Sequence, residues 1–171
     1  DLVGTENADE ILQDLAWKNL FVQPIYTERK GLLFRYHQLF KDYLRAKFES
    51  QKTVHEKRAL FFKAGSLYEK RGELEDSIKY YLKAKAHEHA ASVLQHMGMD
   101  LLKTRRTTDL SNWLAALPEE SVRDNPWLLF YLCMTRRFTG VRENLSSLPK
   151  ALAAFKERED IRGQFLTLAS L

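Results

Sequence analysis

The chain is poor in cysteine, proline and glycine, and it has no long apolar run. Its one cysteine, Cys133, cannot close an internal disulfide, so we expect a small core residue in a reducing compartment. No apolar run approaches the roughly 18 to 20 residues that cross a bilayer, and the pattern of a secretory signal is missing. We therefore expect a globular, cytoplasmic protein that makes no membrane contact.

The sequence also lacks the motifs of common catalytic and cofactor sites. There is no GxxxxGK(S/T) loop to hold phosphates, no GxGxxG after a strand and no GxSxG nucleophile elbow. His87, His89 and His96 form no metal motif, because histidines two positions apart on a helix point about 200° away from each other. We therefore expect no enzymatic activity, no metal site and no cofactor bound by this chain alone.

The first 50 residues have the pattern of a partial winged helix, a helix followed by a β-hairpin and a second helix. Apolar residues at three- and four-residue spacing predict a helix over residues 8–19. Residues 20–26 and 32–36 are β-prone and flank a polar turn that ends at Gly31. A second helix is predicted over residues 37–50. We assign residues 1–50 to the C-terminal part of a winged-helix domain.

From residue 54 to residue 171 the strand signals disappear and helical periodicity takes over. One stretch has the tetratricopeptide spacing of small, aromatic and turn residues: Phe61, Ala64, Gly65, Tyr68, Gly72, Ser77, Tyr81 and Ala84. Further hairpins are predicted from 87–103 with 108–117, and from 126–138 with 142–156, where Gly140 supplies the turn. Hairpins of this kind stack into a right-handed superhelix with a concave surface, so the predicted fold class is mainly α.

Aromatic residues recur along these helices. Trp17, Trp113 and Trp127 each lie within an apolar helical period, which favours core packing over a stacking platform for ligands. Adjacent helical residues are about 100° apart, so Tyr80 and Tyr81 must face different ways, and we expect Tyr80 at the surface.

Phrases of the sequence resemble one family. The segment FRYHQLFKDYLRAKF, residues 34–48, resembles the RYHxLFxxxLR segment that closes the winged-helix region of the large LuxR-type transcriptional activators related to the maltose activator. The later phrase LxxWLxALPEExxxxxPWLLFYLxxxRxFTG is similar to the superhelical arm of the same activators. The resemblance implies an ATP-binding signal-transduction domain upstream, a helix-turn-helix DNA reader at the far C-terminus, and a middle slice of that architecture in this chain.

The resemblance also implies one site residue. In signal-transduction ATPases of this class a histidine of the winged-helix region approaches the β-phosphate of the bound nucleotide, and His37 in the RYH phrase is the candidate. The cofactor would be ATP or ADP in the full-length protein. The alternative interpretation of His37 is a helix-start residue whose ring bonds locally.

Charge argues against direct DNA binding by the winged-helix region. The helix before the hairpin carries acidic side chains against a single lysine, so DNA phosphates would repel it. The hairpin and the following helix are basic, and those side chains could face an acidic domain, a nucleotide phosphate or only solvent. The acidic residues are Asp9, Glu10 and Asp14, and the basic ones are Lys18, Arg29, Lys30, Arg35, Lys41, Arg45 and Lys47.

Two functional hypotheses follow. In the first, the chain is a non-catalytic sensor segment of a LuxR-type activator that couples a small inducer or a protein partner on the helical arm to a nucleotide-controlled switch. Its partners would then include other domains of the same chain and further copies of itself. In the second, the chain is a general tetratricopeptide-like scaffold for protein–protein interaction, unrelated to transcription.

Overall fold

The structure is a computed structural model that describes residues 7–18, 20–28, 31–138 and 147–171. It divides into two compact units, Asp1–Lys57 and Arg58–Leu171. Most of the described residues lie in helices, and the strands form one antiparallel hairpin. The predicted fold class, a winged-helix arrangement followed by helical repeats, is confirmed.

The first unit has the predicted order of helix, hairpin and helix. Its elements are α1 (Ala8–Trp17), β1 (Val22–Thr27), β2 (Gly31–Tyr36) and α2 (Gln38–Gln51). The strands pair from Val22 opposite Tyr36 to Thr27 opposite Gly31. Gly31 begins the second strand with a φ of +68°, a left-handed conformation that glycine adopts without a steric cost.

The apolar contacts of the first unit are few. Phe40 on α2 stacks on Phe21 with ring centroids 5.2 Å apart and contacts Tyr36 at 5.9 Å. Val22 is buried, whereas the described residues of α2 include no buried side chain. This unit therefore has a thin core, and much of its apolar surface faces outward.

The expectation of core packing for Trp17 was wrong, since this side chain is 89% exposed. Leu12, Leu15 and Ala16 on α1 are half-buried at helical spacing and define its inner face. Trp17 is the last residue of the helix, and its side chain is rotated by about 100° from that of Ala16 around the helix axis. Its ring therefore points away from the inner face.

The second unit consists of successive packed helices. Its elements are α3 (Val54–Lys70, which begins before the boundary between the units), α4 (Leu74–Ala84), α5 (His87–Lys103), α6 (Thr107–Ala115), α7 (Glu119–Arg123), α8 (Pro126–Phe138), α9 (Leu148–Glu157) and α10 (Ile161–Leu168). The short α7, which follows Pro118, was not predicted. The predicted turn at Gly140 and the start of the predicted helix at 142 lie outside the described residues.

A continuous apolar core runs through α4 to α9 of the second unit. Its largest fully buried side chains include Tyr81, Tyr131 and Phe155. Each of these three rings lies directly over a glycine of another helix, and a β-carbon added there would come within 3 Å of the ring. The pairs are Gly65 with Tyr81, Gly98 with Tyr131 and Gly163 with Phe155. In each pair, the glycine has no side chain, and the aromatic ring occupies the space that a side chain would take.

Sharp turns of one kind end α3, α4, α5 and α9. In each, one residue has a positive φ, and the backbone N–H after it donates to the carbonyl five positions earlier, as in a Schellman motif. The positive-φ residues are Gly72, Lys85, Arg105 and Glu159. These turns reverse the chain within a few residues and so let consecutive helices pack together.

None of the helices described by the structure is both long enough and apolar enough to cross a membrane.

Candidate functional site

A cavity of about 480 Å³ opens in the second unit, where α5, α8 and the start of α10 meet. Small-ligand sites in proteins commonly have volumes of this order. Side chains of all three helices line the cavity and combine aromatic, thioether, amide and charged groups. It is therefore a candidate binding site for a polar ligand with an apolar portion.

The start of α8 sets the position of the aromatic wall. Asn125 caps this helix, since its Oδ1 accepts from the backbone N–H of Trp127 at 3.0 Å and of Leu128 at 3.3 Å. Pro126 occupies the first helical position, where a missing N–H costs nothing. Asn125 also donates from Nδ2 to Gln95 Oε1 at 2.8 Å, which ties α8 to α5.

Trp127 is held on several sides. Its Nε1 donates to Asp160 Oδ2 at 2.8 Å, and its ring meets the edge of Phe155 at a centroid distance of 5.0 Å. The guanidinium of Arg162 lies 5.7 Å from the centroid of the indole, a cation–π contact. The indole of Trp127 is therefore fixed in position as one wall of the cavity, and the guanidinium of Arg162 lies over its face.

Asp160 has a structural role at this wall. Its Oδ1 accepts from the N–H of Gly163 at 2.8 Å as the cap of α10, while its Oδ2 accepts from Trp127. Each carboxylate oxygen accepts one of these bonds, so Asp160 orients the wall, and it lines the cavity as a second negative charge with Asp100. Arg162, by contrast, forms no ion pair with any carboxylate that the structure describes.

A second wall comes from α5. His96 Nδ1 bonds to the carbonyl of Ser92 at 2.7 Å, and because that oxygen only accepts, Nδ1 holds the proton. In the tautomer that makes this bond, Nε2 carries the lone pair. Asp100 lies one turn further along α5 and has only a long contact, 3.4 Å, with Lys103. This wall presents hydrogen-bond acceptors and a negative charge.

Tyr131 connects the two walls. Its hydroxyl donates to the carbonyl of Gln95 at 2.9 Å. Burial raises the pKa of Tyr131 to about 12; Asp100 and Asp160 add to the rise and Arg162 opposes it. All three charges therefore act within electrostatic range of one hydroxyl group.

The residue implied by the resemblance lies in the first unit. His37 is the residue before α2; its side chain is exposed and makes no capping hydrogen bond. Its backbone N–H donates to the carbonyl of Phe21 at 2.7 Å, which fixes the start of the helix. Lys41 and Arg45 follow at four-residue spacing on the same face, and both are exposed. A helix N-terminus with two cations along one face favours a phosphate electrostatically.

The other basic residues of the winged-helix region do not all gather there. Arg35 is exposed on β2, and Lys47 lies 5.9 Å over the ring of Tyr43. Arg29 and Lys30 lie outside the described residues. In α1, Asp14 pairs with Lys18 at 2.6 Å, and the exposed Glu10 has no ion pair with any cation that the structure describes.

The histidines of α5 lie in different surroundings. His89 packs against Phe62 and Tyr81, with ring centroids 4.8 and 5.2 Å apart. His96 lines the cavity. Within the described part of the chain, no group of three or more His, Cys, Asp or Glu side chains is arranged to hold a metal.

Trp113 and Trp127 are partly buried against the core, as expected. Tyr80 is half-buried and stacks on Tyr68 at 5.3 Å, away from the buried Tyr81.

Sequence reasoning did not find the cavity. Its charged residues, Asp100, Asp160 and Arg162, come from segments far apart in the chain and form no motif. The sequence signals in these segments were local. Asn125-Pro126 marks the start of a helix, and Asp160 lies three residues before Gly163, which is the spacing between an N-cap side chain and the backbone N–H that it accepts from.

The first unit, a helix, a β-hairpin and a second helix, has the arrangement of a winged-helix region. The packed helices that follow it in the sequence form a helical-repeat array. Residues 1–56 match the family model of the MalT winged helix domain. The predicted resemblance is thereby confirmed for the winged-helix region, which is similar to the MalT winged helix domain. Comparison with curated proteins and with solved structures gives no significant match.

Proposed function

We propose that the chain is a regulatory segment of a bacterial LuxR-type transcriptional activator, in which a winged helix links a nucleotide-controlled switch to a helical sensor arm. The observation that carries the proposal is the MalT winged-helix match at residues 1–56, followed in the same chain by packed helical pairs. ATP or ADP would bind an ATPase domain elsewhere in the full-length protein.

The surface of the first unit supports docking to another domain of the same protein. Leu39 is 75% exposed and Tyr43 is 58% exposed on α2, and Trp17 projects from the end of α1. Exposed aromatic and aliphatic side chains grouped on a small unit are typical of interaction surfaces. A neighbouring nucleotide-binding domain that covered them would complete the thin core of this unit.

The proposed mechanism is a coupling between arm and switch. A small inducer or a protein partner on the arm would bind one arrangement of the protein more tightly than the other. Binding would then favour a released, self-associating state over a nucleotide-locked state, and nucleotide would affect inducer affinity by the same factor.

The test of the nucleotide role is the affinity of the full-length protein for ADP, measured by calorimetry in the wild type and in His37→Ala. A hydrogen bond from a charged or neutral donor to phosphate contributes about 1–3 kcal/mol, so we expect a loss of at least about fivefold. His55→Ala is the matched control, because His55 is also exposed near the start of a helix, α3. Equal affinities in His37→Ala and the wild type would remove His37 from the nucleotide site.

The scaffold hypothesis makes a different prediction about the gene. An ATPase upstream and a helix-turn-helix at the far end would support the regulator, whereas a bare repeat array on both sides would favour the scaffold. The MalT-type winged helix favours the regulator, because a repeat scaffold has no need of one.

A further inference from the structure

Helix α10 has two apolar faces, and only one of them is covered. On the covered face, Gly163 is buried under the ring of Phe155 from α9. The other face carries Ile161, Phe165 and Leu168 at helical spacing, and these side chains are 79%, 71% and 57% exposed. Single exposed apolar residues are common on proteins, whereas a stripe of three large ones along a helix is typical of a contact surface.

The caps of α8 and α10 show that these two helices occupy equivalent places in successive repeats. The side chain of Asn125 accepts from the backbone at the start of α8, and it also donates to Gln95 on the earlier helix α5. The side chain of Asp160 accepts from the N–H of Gly163 in α10, and it also accepts from Trp127 on the earlier helix α8. In both cases one capping side chain begins the helix and ties it to an earlier one. The two caps therefore define matching positions along α8 and α10.

Counted from the caps, the exposed positions of α10 correspond to buried positions of α8. Phe165 is the fifth residue after its cap, and the fifth residue after the cap of α8 is also a phenylalanine, Phe130, which is only 3% exposed. Leu168, the eighth residue, corresponds in the same way to the buried Cys133. The same helical face is therefore part of the core in α8 and faces outward in α10.

The neighbours of the two helices explain this difference. α8 packs against α5, α6 and α7, which precede it, and against α9 and α10, which follow it. α10 packs against α8 and α9, which precede it. Because both helices contact the elements before them, the helical pair that follows α8 accounts for the burial that α10 lacks. The surface that matches the exposed face of α10 is therefore the apolar side of a similar helical pair.

We propose that the stripe of Ile161, Phe165 and Leu168 is the docking surface for a further helical pair, the one that follows α10 in the full-length protein. This pair would stack on α10 as α9 and α10 stack on α8, with the apolar side of its helices over the stripe. The inference rests on the proposed function in one respect, that the chain is part of a longer protein. It holds equally for a regulator and for a repeat scaffold.

The test is the rate of maleimide labelling of Phe165→Cys and Leu168→Cys, compared between the full-length protein and the chain alone. Mass spectrometry of the labelled peptide reports each position separately from the native, buried Cys133. We expect labelling at both positions to be at least about tenfold slower in the full-length protein, because a covered thiol reacts only when the covering helices open. Circular dichroism of each variant checks that it is folded.

Ser111→Cys is the matched control, since Ser111 is exposed on α6, away from α10 in the sequence. Its labelling rate should be the same in both proteins. Equal rates for Phe165→Cys and Leu168→Cys in the two proteins would overturn the proposal. So would protection that disappears on dilution together with a fall in the sedimentation coefficient, because the stripe would then be covered by a second copy.

These outcomes are separable from those of the proposed function. Unprotected thiols on α10, combined with a full effect of His37→Ala on ADP affinity, would overturn the docking surface and leave the regulatory role standing. Protected thiols without any effect of His37→Ala would support the docking surface and remove the nucleotide role of His37.

Discussion

At the scale of single residues, the second unit depends on glycines that make room for aromatic rings. Gly98 lies under Tyr131, and the ring cannot move aside easily, because its hydroxyl donates to the carbonyl of Gln95 and its body is buried. Close packing of this kind makes a single added methyl group costly. The spacing rule that identified Gly65 and Tyr81 in the sequence has the same physical origin.

Gly98→Ala should destabilise the second unit. The new β-carbon would lie 2.2 Å from Tyr131 Cε2, and overpacking of about 3 kcal/mol exceeds the gain in helix propensity of about 1 kcal/mol. We expect a net loss of about 2 kcal/mol in the free energy of unfolding, measured by urea titration with far-UV circular dichroism. Ser92→Ala, an exposed change on the same helix, should stay within about 0.5 kcal/mol. Equal midpoints for the two variants would contradict the packing account.

Tyr81 carries a hydrogen bond between helices. Its hydroxyl donates to Glu69 Oε2 at 2.6 Å, so Tyr81→Phe should lower the free energy of unfolding by about 0.5–1.5 kcal/mol. Tyr80→Phe is the control, because Tyr80 stacks on Tyr68 through its ring and its hydroxyl has no described partner. A loss from Tyr80→Phe as large as that from Tyr81→Phe would assign the effect to the rings instead of the bond.

Alkaline pH should weaken the same contact. Burial, followed by the hydrogen bond to Glu69, raises the pKa of Tyr81 from 10.0 to about 12. Because the unfolded chain releases this proton first, stability is full below pH 10 and falls as the pH rises toward 12. Urea midpoints between pH 9 and about 12 should show this fall in the wild type and a smaller fall in Tyr81→Phe. The same slope in both proteins would exclude Tyr81 as its source.

At the scale of elements, four of the described helices, α3, α4, α5 and α9, end at left-handed residues, and three of these residues are not glycine. Lys85 ends α4 with a φ of 59°, where a β-carbon meets the following carbonyl. Only Gly72 among the four turns of this kind is the residue that the conformation prefers. The remaining turns therefore hold strain that packing of the adjacent helices must offset.

Lys85→Gly should stabilise the second unit. Removal of the β-carbon relieves about 1 kcal/mol of left-handed strain, so the thermal midpoint should rise. Lys63→Gly, an exposed change inside α3, should instead lower stability by about 1 kcal/mol, because glycine is a poor helix former there. A fall in midpoint for Lys85→Gly would show that the side chain of Lys85 contributes more than its strain removes.

The order of elements was predictable, because it depends on local periodicity. Alternation and a terminal glycine predicted the hairpin that ends its turn at Gly31, and small–aromatic spacing predicted the helical hairpin in which Gly65 lies against Tyr81. The short α7 was missed because five residues give too little periodicity. Trp17 was misassigned because periodicity alone does not show where a helical face stops. The cavity was missed because its walls meet only after α5, α8 and α10 have packed.

At the scale of the whole molecule, the account predicts that the chain does not read DNA. The described part of α1 keeps Glu10 exposed and pairs Asp14 with its lysine, so this helix would repel phosphates. Gel shifts with promoter fragments near the gene should show no sequence-selective complex. A tight complex that weakens steeply with salt and prefers one sequence would contradict this interpretation.

The central claim is that a nucleotide controls assembly through this winged helix and arm. Sedimentation velocity of the full-length protein in ADP and in ATP with Mg²⁺ tests it most directly. The account predicts a monomer in ADP and a larger species in ATP, with inducer shifting the balance toward the larger species. An identical sedimentation coefficient in both nucleotides, with and without inducer, would contradict it.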